Sequence, residues 1–479
     1  MAEPNLSAPV LTEPDLTAHI NRFLDSLDLA PSCKLVLAYS GGIDSEVLAY
    51  GLSCYAKLHP TFRYQLIYVH HGLSANADDW AGHCQARAAV YELPLSVERV
   101  KLELGPRVSV EAEARAQRYR AISKHLSPKD ILLTAHHEDD QLETILLALK
   151  RGQGPKGLAA MGQIQMLALG DGSLGEKQHC LQVRPLLDIS RSAIEAFAKA
   201  HQLLHIEDES NQDDKYDRNF LRLEIIPRLK ARWPSIATTA CRSAKLCAEQ
   251  QALVDVEVSE RLPELLTKAP FNGQTVFNLS QIENLTSDWQ ALLLRAFIES
   301  QGFSLPSYVQ LQQILQQLLS AKDDAKVFIR IGDWVLRRFA GKVYLDAACN
   351  TNDAISSEAE LIAGKIFEGL SLGGQLTLGK QVFTLKDSGI RLRLPLANEV
   401  VSLRYQLPGQ FRCQPHFRDK GRELKKLMQE CAVPPWLRPQ VGYVFYDDKL
   451  VMALGLWVEK NFCAADDALG ISFKSSFLS

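Results

Sequence analysis

A chain of 479 residues exceeds the usual size of one domain, so two or three domains are expected. Hydrophobic residues make up 46% and charged residues 23%, an ordinary globular balance, and a net charge of −3 leaves any nucleic-acid binding to local basic faces. MAEPNLSAPVLTEPDL lacks the basic start and apolar core of a secretory signal, and no apolar run approaches membrane-spanning length. The ten cysteines include no CxxC pair, so reduced thiols in the cytoplasm, without a zinc or iron–sulfur site, are expected.

Apolar runs at 34–40, 65–70, 95–100 and 130–136 read as strands, and helical periodicity fills 45–57, 77–91, 110–125 and 139–150. This alternation predicts an α/β fold, a parallel sheet with helices on both faces and ligands beyond the carboxyl ends of its strands. SGGIDS, HHGLS, EARAQRYR and AHHEDDQLET all fall there. Residues 169–179, rich in glycine, read as a surface loop, and 236–322 turn helical. A linker composition at 349–360 precedes short apolar runs with Gly and Pro turns, the pattern of a small α+β domain. The expected divisions are 1–235, a mostly helical 236–350, and 361–479.

SGGIDS follows a strand and opens a helix, as a phosphate loop does, but lacks the lysine that a Walker loop places on the β- and γ-phosphates. What remains is the backbone N–H groups of Gly41, Gly42, Ile43 and Asp44, the hydroxyls of Ser40 and Ser45, and the dipole of the next helix. Phosphate repels Asp44 unless a divalent cation lies between them, and Mg²⁺ held by one or two carboxylates plus phosphate oxygens meets that need. Ser-Gly-Gly turns also close ordinary strand-to-helix connections. The segment resembles the pyrophosphate loop of the N-type ATP pyrophosphatases. That resemblance implies a grip on the β,γ-diphosphate of ATP and passage of AMP to a substrate. RGQGPKGL at 151–158 is also Gly-rich, but no Gly-Lys-Ser/Thr follows its second glycine, so it reads as a mobile loop.

In TAHHEDDQLET, a helix starting near Asp139 puts Asp140, Glu143 and Thr144 on one face, with His136 at the end of the preceding strand. Acids are common in a first helical turn, where the dipole favours them. Opposite a phosphate loop they call for a cationic partner, a metal or an amine whose proton a carboxylate can accept. Arg115 shares a helical stripe with Tyr119, Ile122 and Leu126, where an apolar residue is expected. Contact with phosphate or base explains it better than a surface pair with Glu111.

Together SGGIDS, HHGLSANAD, EARAQRYRA, TAHHEDDQLET, KRGQGPKGLAAM, RPLL and EDESNQDDKYDRNFLR, in that order, resemble the tRNA(Ile)-lysidine synthase family across about residues 33–232. FRDKGRELKKLMQECAVPPWLRPQ resembles that family's C-terminal domain across about 400–460. The resemblance implies a ligase that adenylates C2 of the wobble cytidine in the isoleucine tRNA with a CAU anticodon, using ATP and Mg²⁺. Free L-lysine then displaces AMP through its ε-amine. By the same resemblance Ser40, Gly41, Gly42, Ile43 and Ser45 grip pyrophosphate and Asp44 holds Mg²⁺. Asp140 and Glu143 bind or deprotonate the amine, His136 and Arg115 contact ATP or base, and Arg218 reaches tRNA or the intermediate. A homodimer is a family-level expectation.

Basic clusters suit an RNA partner. Seven Lys/Arg stand against Asp419 and Glu423 between 401 and 426; Arg218, Arg222, Arg228, Lys230 and Arg232 form a second cluster, and WVLRRF a weaker third. A tRNA thiolase is the nearest rival, but such enzymes pair their cysteines. An amidating synthetase leaves the basic C-terminal block unexplained, and a non-catalytic RNA-binding module does not account for intact SGGIDS and DDQLET.

Overall fold

The computed structural model describes residues 15–72, 74, 76–102, 110–169, 178–209, 215–270, 272–322, 327–348, 360–362, 375–378, 381–386, 389–396, 398–465 and 468–473. They fall into two units, Met1–Val254 and Asp255–Ser479.

The first unit is built on six strands: β1 (Lys34–Ala38), β2 (Arg63–His70), β3 (Leu95–Arg99), β4 (Ile131–Leu133), β5 (Ile164–Ala168) and β6 (His179–Val183), in the order β3-β2-β1-β4-β6-β5. Every neighbouring pair is parallel except β5 and β6, which form an antiparallel pair at the edge. The helices are α1 (Leu16–Asp25), α2 (Ile43–Leu58), α3 (Ala77–Val90), α4 (Val110–Ser123), α5 (Glu138–Lys150), the single turn α6 (Pro155–Leu158) and α7 (Arg191–Ala200). Thus part of the 151–158 stretch expected as a loop is helical, with Pro155 supplying a preset φ in the first turn. The edge pair was unexpected, and 170–177, within the anticipated surface loop, lie outside the described residues.

Strand β1 shows why the sheet is covered twice. Its side chains alternate between faces, and all are apolar after Lys34. Leu35 and Leu37 join a core with α1, α2 and α3, whereas Val36 packs with Ile67, Leu132 and Ile122 of α4. Helix α1 adds Leu16, Ile20 and Leu24, each fully buried and each contributing roughly 2 kcal/mol of apolar burial.

The chain continues through α8 (Asp217–Phe220), a π-helical stretch Leu221–Ile225, α9 (Ile226–Arg232) and the long α10 (Ile236–Leu265). In the second unit, the region expected to be mostly helical supplies α11 (Ser287–Ser300) and α12 (Tyr308–Ser320). It also holds an antiparallel sheet of β7 (Leu266–Lys268), β8 (Thr275–Asn278), β9 (Phe328–Ile331), β10 (Trp334–Phe339) and β11 (Lys342–Ala347), ordered β7-β8-β11-β10-β9. Phe277, Phe297, Trp334 and Leu318 are buried together between that sheet and the helices. Most of the expected linker, 349–359, lies outside the described residues. The last part holds a five-stranded antiparallel sheet running from Glu360–Ile362 through Val401–Arg404, Tyr443–Tyr446 and Lys449–Ala453 to Trp457–Val458, a four-stranded sheet, and the helix Leu424–Glu430.

Candidate functional site

From β1 the sheet runs outward through β2 and β3 on one side and through β4 and β6 on the other, so its order reverses between β1 and β4. A crevice opens at such a point. Helix α2 begins at Ile43, two residues earlier than its periodicity indicated, with Gly42 as N-cap and no side-chain cap bond. Its first-turn N–H groups therefore lack the partner a capping side chain would give. Ser45 Oγ donates to the Gly42 carbonyl at 2.9 Å and accepts from Ser40 N at 3.3 Å, closing the loop on itself. Gly41 has φ +78°, and a Cβ there would lie 2.5 Å from Ile206 Cδ1 and 2.9 Å from Cys84 Sγ. Only glycine suits both the dihedral and the space. Behind the loop, fully buried Glu46 accepts hydrogen bonds from Tyr39 and Tyr91 and pairs with Arg87 Nε at 2.6 Å. The residues flanking the loop are thus tied together on the side away from the crevice.

Asp44, in the first turn of α2, faces the crevice. Both of its oxygens accept from Arg191 Nη1, at 2.8 and 2.9 Å, and His137 Nε2 stands 3.6 Å away. Burial pushes its carboxyl above the ordinary value, against the pull of His137 and Arg191.

Across from it, α5 has an unusual cap. His137 Nδ1 accepts from Asp139 N at 3.2 Å, while Asp140 Oδ2 accepts from His137 N at 3.0 Å. The ordinary reading of acids in a first turn therefore applies to Asp140, and Asp139 pairs with Lys230 at 2.6 Å. Yet Asp140 Oδ1 also takes Arg222 Nη2 at 3.2 Å, and Glu143 Oε1 takes Arg222 Nε at 2.9 Å. Glu143 Oε2 is buried with no hydrogen-bond partner among the described residues. Burial opposes charge on Asp140, but His137, His136 and Arg222 overcome it and hold that carboxyl low. On Glu143 burial wins, helped by Asp140 and opposed by Arg222, and the carboxyl is raised. Burial, with Arg184, Arg115 and Arg218 nearby, drives His136 down to about 4, so its ring is neutral near pH 7.

Two cavities flank the loop. The first, about 620 Å³, has Ser40, Ser45, Arg115 and His136 on its walls with Tyr68 and Trp80. The second, about 540 Å³, has Gly42, Ile43, Glu143, Arg191, Arg222 and Lys230. Asp44 and Asp208 line both.

The structure thus gathers Ser40, Gly42, Ile43, Asp44, Ser45, Arg115, His136 and Glu143 around one crevice, with Gly41 in the loop but on neither cavity wall and Asp140 paired with Arg222. Arg218 lines neither cavity; its Nη2 donates to Thr144 Oγ1 at 3.2 Å. Arg115 lies over the Tyr119 ring, 5.1 Å from its centroid. Sequence reasoning missed Arg191 and His137, and it assigned Arg222 only to a basic cluster. The four-residue spacing of Arg218 and Arg222 matches that of Asp140 and Thr144 on α5 and was the available signal.

In the second unit, much of the basic block is neutralised: Arg418 and Arg422 pair with Glu430, Arg404 with Asp448 and Lys426 with Glu423. Arg412, Lys420 and Lys425 carry no ion pair among the described residues. All cysteines among the described residues are free thiols. No helix among them is long and apolar enough to cross a membrane.

Residues 12–229 match the family model of the PP-loop domain, 277–344 that of the TilS substrate binding domain, and 401–474 that of the TilS substrate C-terminal domain. The chain is similar to the tRNA(Ile)-lysidine synthase of Shewanella oneidensis, at 70% identity over 97% of this chain and 99% of the relative. The protein of the same name in Shewanella woodyi is 52% identical over 98% and 99%. Among solved structures, a U34-tRNA thiolase from Methanococcus maripaludis aligns with a TM-score of 0.40 and 20% identity over 49% of this chain and 78% of its own, too remote to bear on activity.

Proposed function

The chain belongs to the tRNA(Ile)-lysidine synthase family, and from that premise we propose that the crevice between β1 and β4 makes lysidine on the isoleucine tRNA with a CAU anticodon. The protein is an ATP-dependent ligase, and its later family domains go with a tRNA substrate. The first cavity, with Tyr68 and Trp80 beside Arg115 and the loop, suits the nucleoside end of ATP, while the second takes the diphosphate along Gly42 and Ile43 and the amine at Glu143.

In the first step the C2 carbonyl oxygen of the wobble cytidine attacks the α-phosphorus, and the bond to the β-phosphate breaks. Pyrophosphate leaves against the bare N–H groups of Gly42, Ile43 and Asp44. In the second, the ε-nitrogen of free L-lysine attacks C2, the C2–O bond breaks and AMP departs. Lysine's amine has an unperturbed pKa of about 10.4, so it must give up a proton. Asp140, kept ionised, holds the ammonium, and Glu143, with its carboxyl raised, accepts the proton. The observation that carries this reading is Glu143 Oε2: a buried carboxylate oxygen with no partner among the described residues, on a residue that lines a cavity, is an acceptor for an N–H still to arrive.

Mg²⁺ fits the donor set. No group of three or more His, Cys, Asp or Glu among the described residues stands ready to hold a metal unaided, but Asp44 fronts both cavities and phosphate oxygens complete such a shell. Held by Asp44, the ion would offset charge on the diphosphate. The reading places the anticodon loop on the first unit and RNA stems on later residues that include Arg412, Lys420 and Lys425. It goes with a cytoplasmic setting and a homodimer.

The test is incorporation of labelled lysine, with ATP and Mg²⁺, into a transcript of that isoleucine tRNA. Incorporation there and none into initiator methionine tRNA is expected. Pyrophosphate release without lysine transfer would sink the second step.

A further inference from the structure

The phosphate loop has no lysine, yet a diphosphate leaving beside Asp44 calls for a side-chain cation in addition to Mg²⁺. We infer that Arg191 is that cation: it holds Asp44 in the free protein and grips the β,γ-diphosphate of bound ATP. The inference rests on the reading of the crevice as an adenylating site and adds to it a residue that SGGIDS does not contain.

Arg191 opens α7, whose N-cap Ser190 accepts from Ala193 N at 3.3 Å, so its backbone is anchored. Its side chain reaches across 147 residues of sequence to Asp44. It shares the wall of the second cavity with Gly42 and Ile43, where the first turn of α2 has no side-chain cap.

The guanidinium of Arg191 also has a donor to spare. Nη1 serves both oxygens of Asp44, and Nε is braced by Glu195 Oε1 at 2.7 Å. Nη2 has no acceptor among the described residues, so part of the planar fork is available for a phosphate oxygen while the rest stays on Asp44. Each Asp44 oxygen keeps a lone pair beyond the one given to Arg191, so the guanidinium and a divalent cation are compatible neighbours.

The other cations along the second cavity are engaged elsewhere, Arg222 on Asp140 and Glu143 and Lys230 on both oxygens of Asp139. Arg87 is held behind the loop by Glu46. Arg191 alone among these touches a residue of the loop's crevice side. It forms no covalent bond and moves no proton. It offsets charge that grows on the diphosphate as the bond to the α-phosphorus breaks.

The experiment uses the full chain and two probes, inorganic pyrophosphate and AMP, each titrated calorimetrically with Mg²⁺ and each tested as an inhibitor of lysidine formation. Arg191→Ala is expected to weaken pyrophosphate about tenfold, the loss of one charge-assisted bond, with AMP within about twofold, since AMP lacks the β- and γ-phosphates. Arg191→Lys keeps the charge without the fork and is expected to recover part of the loss. Glu195→Gln, which removes only the brace, is expected to cost less than either. Unchanged pyrophosphate affinity in Arg191→Ala overturns the inference. So does an equal loss of both probes in the Ala and Lys variants, the mark of a collapsed loop. Lysine incorporation by the unaltered chain judges the functional reading separately, because the binding arms need no turnover.

Discussion

Helices α2 and α5 start from adjacent parallel strands and point their positive ends at the same crevice, yet they are finished in opposite ways. The first ends on Gly42 with no side-chain cap, leaving backbone N–H groups for an anion. The second is closed by His137 and Asp140, which satisfy its own N–H groups, while Glu143 and the other oxygen of Asp140 take the guanidinium of Arg222. The dipole has one sign, but the local finish decides which charge is welcome: on the proposed reading, phosphate at α2 and an amine at α5. The proposed joining of a nucleotide to a cationic nucleophile calls for one of each.

The contrast breaks most completely at its hinge, Asp44. Asp44→Asn is expected to cut pyrophosphate release by roughly 10²–10³-fold, while a filter-binding assay finds tRNA affinity nearly intact. Unchanged turnover would remove Asp44 from the phosphate side altogether. On the amine side, Glu143→Gln is expected to spare adenylation and slow lysine transfer by roughly 10²-fold, as for loss of a general base. The pH profile sharpens this. Glu143 must be ionised to accept a proton, and its raised carboxyl protonates on acidification before an ordinary glutamate does. Lysine transfer should therefore fall, as the pH drops, above the usual glutamate range. His136, at about 4, stays neutral through that fall and does not produce it. A profile without this limb in the unaltered chain, or with it intact in Glu143→Gln, would move the proton elsewhere.

Smaller effects come from the scaffolding of each helix end. Gly41→Ala meets both a positive φ and Ile206, and is expected to cost about 1–3 kcal/mol of stability with a raised KM for ATP. Equal melting temperatures for Gly41→Ala and the parent would show the loop to be plastic. Lys230→Ala, which frees Asp139 at a partly exposed pair, is expected to change stability by about 0.5 kcal/mol, below a few degrees in Tm.

The core of the first unit was legible because β1, β2 and β4 are short apolar runs and α2 and α5 follow them at once. Both periodicity and topology are local signals there. The edge strand β5 was not, since Ile164, Gln165 and Met166 are exposed and carry no burial pattern. Strands β7 and β8 are three and four residues long amid helical sequence, too short to show a period of two. At the site, loop and acids were legible by spacing. Arg191 was not, because nothing in RSAIEAFAKA marks its first residue as the partner of an aspartate 147 positions earlier. Arg222 was seen as positive charge, but its direction depends on how the π-helical stretch docks along α5.

Asp44 and Asp208 belong to the walls of both cavities. Two ligands that share a wall are thermodynamically linked: by whatever factor the nucleotide changes the affinity for the amine, the amine changes the affinity for the nucleotide by the same factor. Neither substrate's dissociation constant is then a property of its own cavity alone, and each takes its meaning from the concentration of the other.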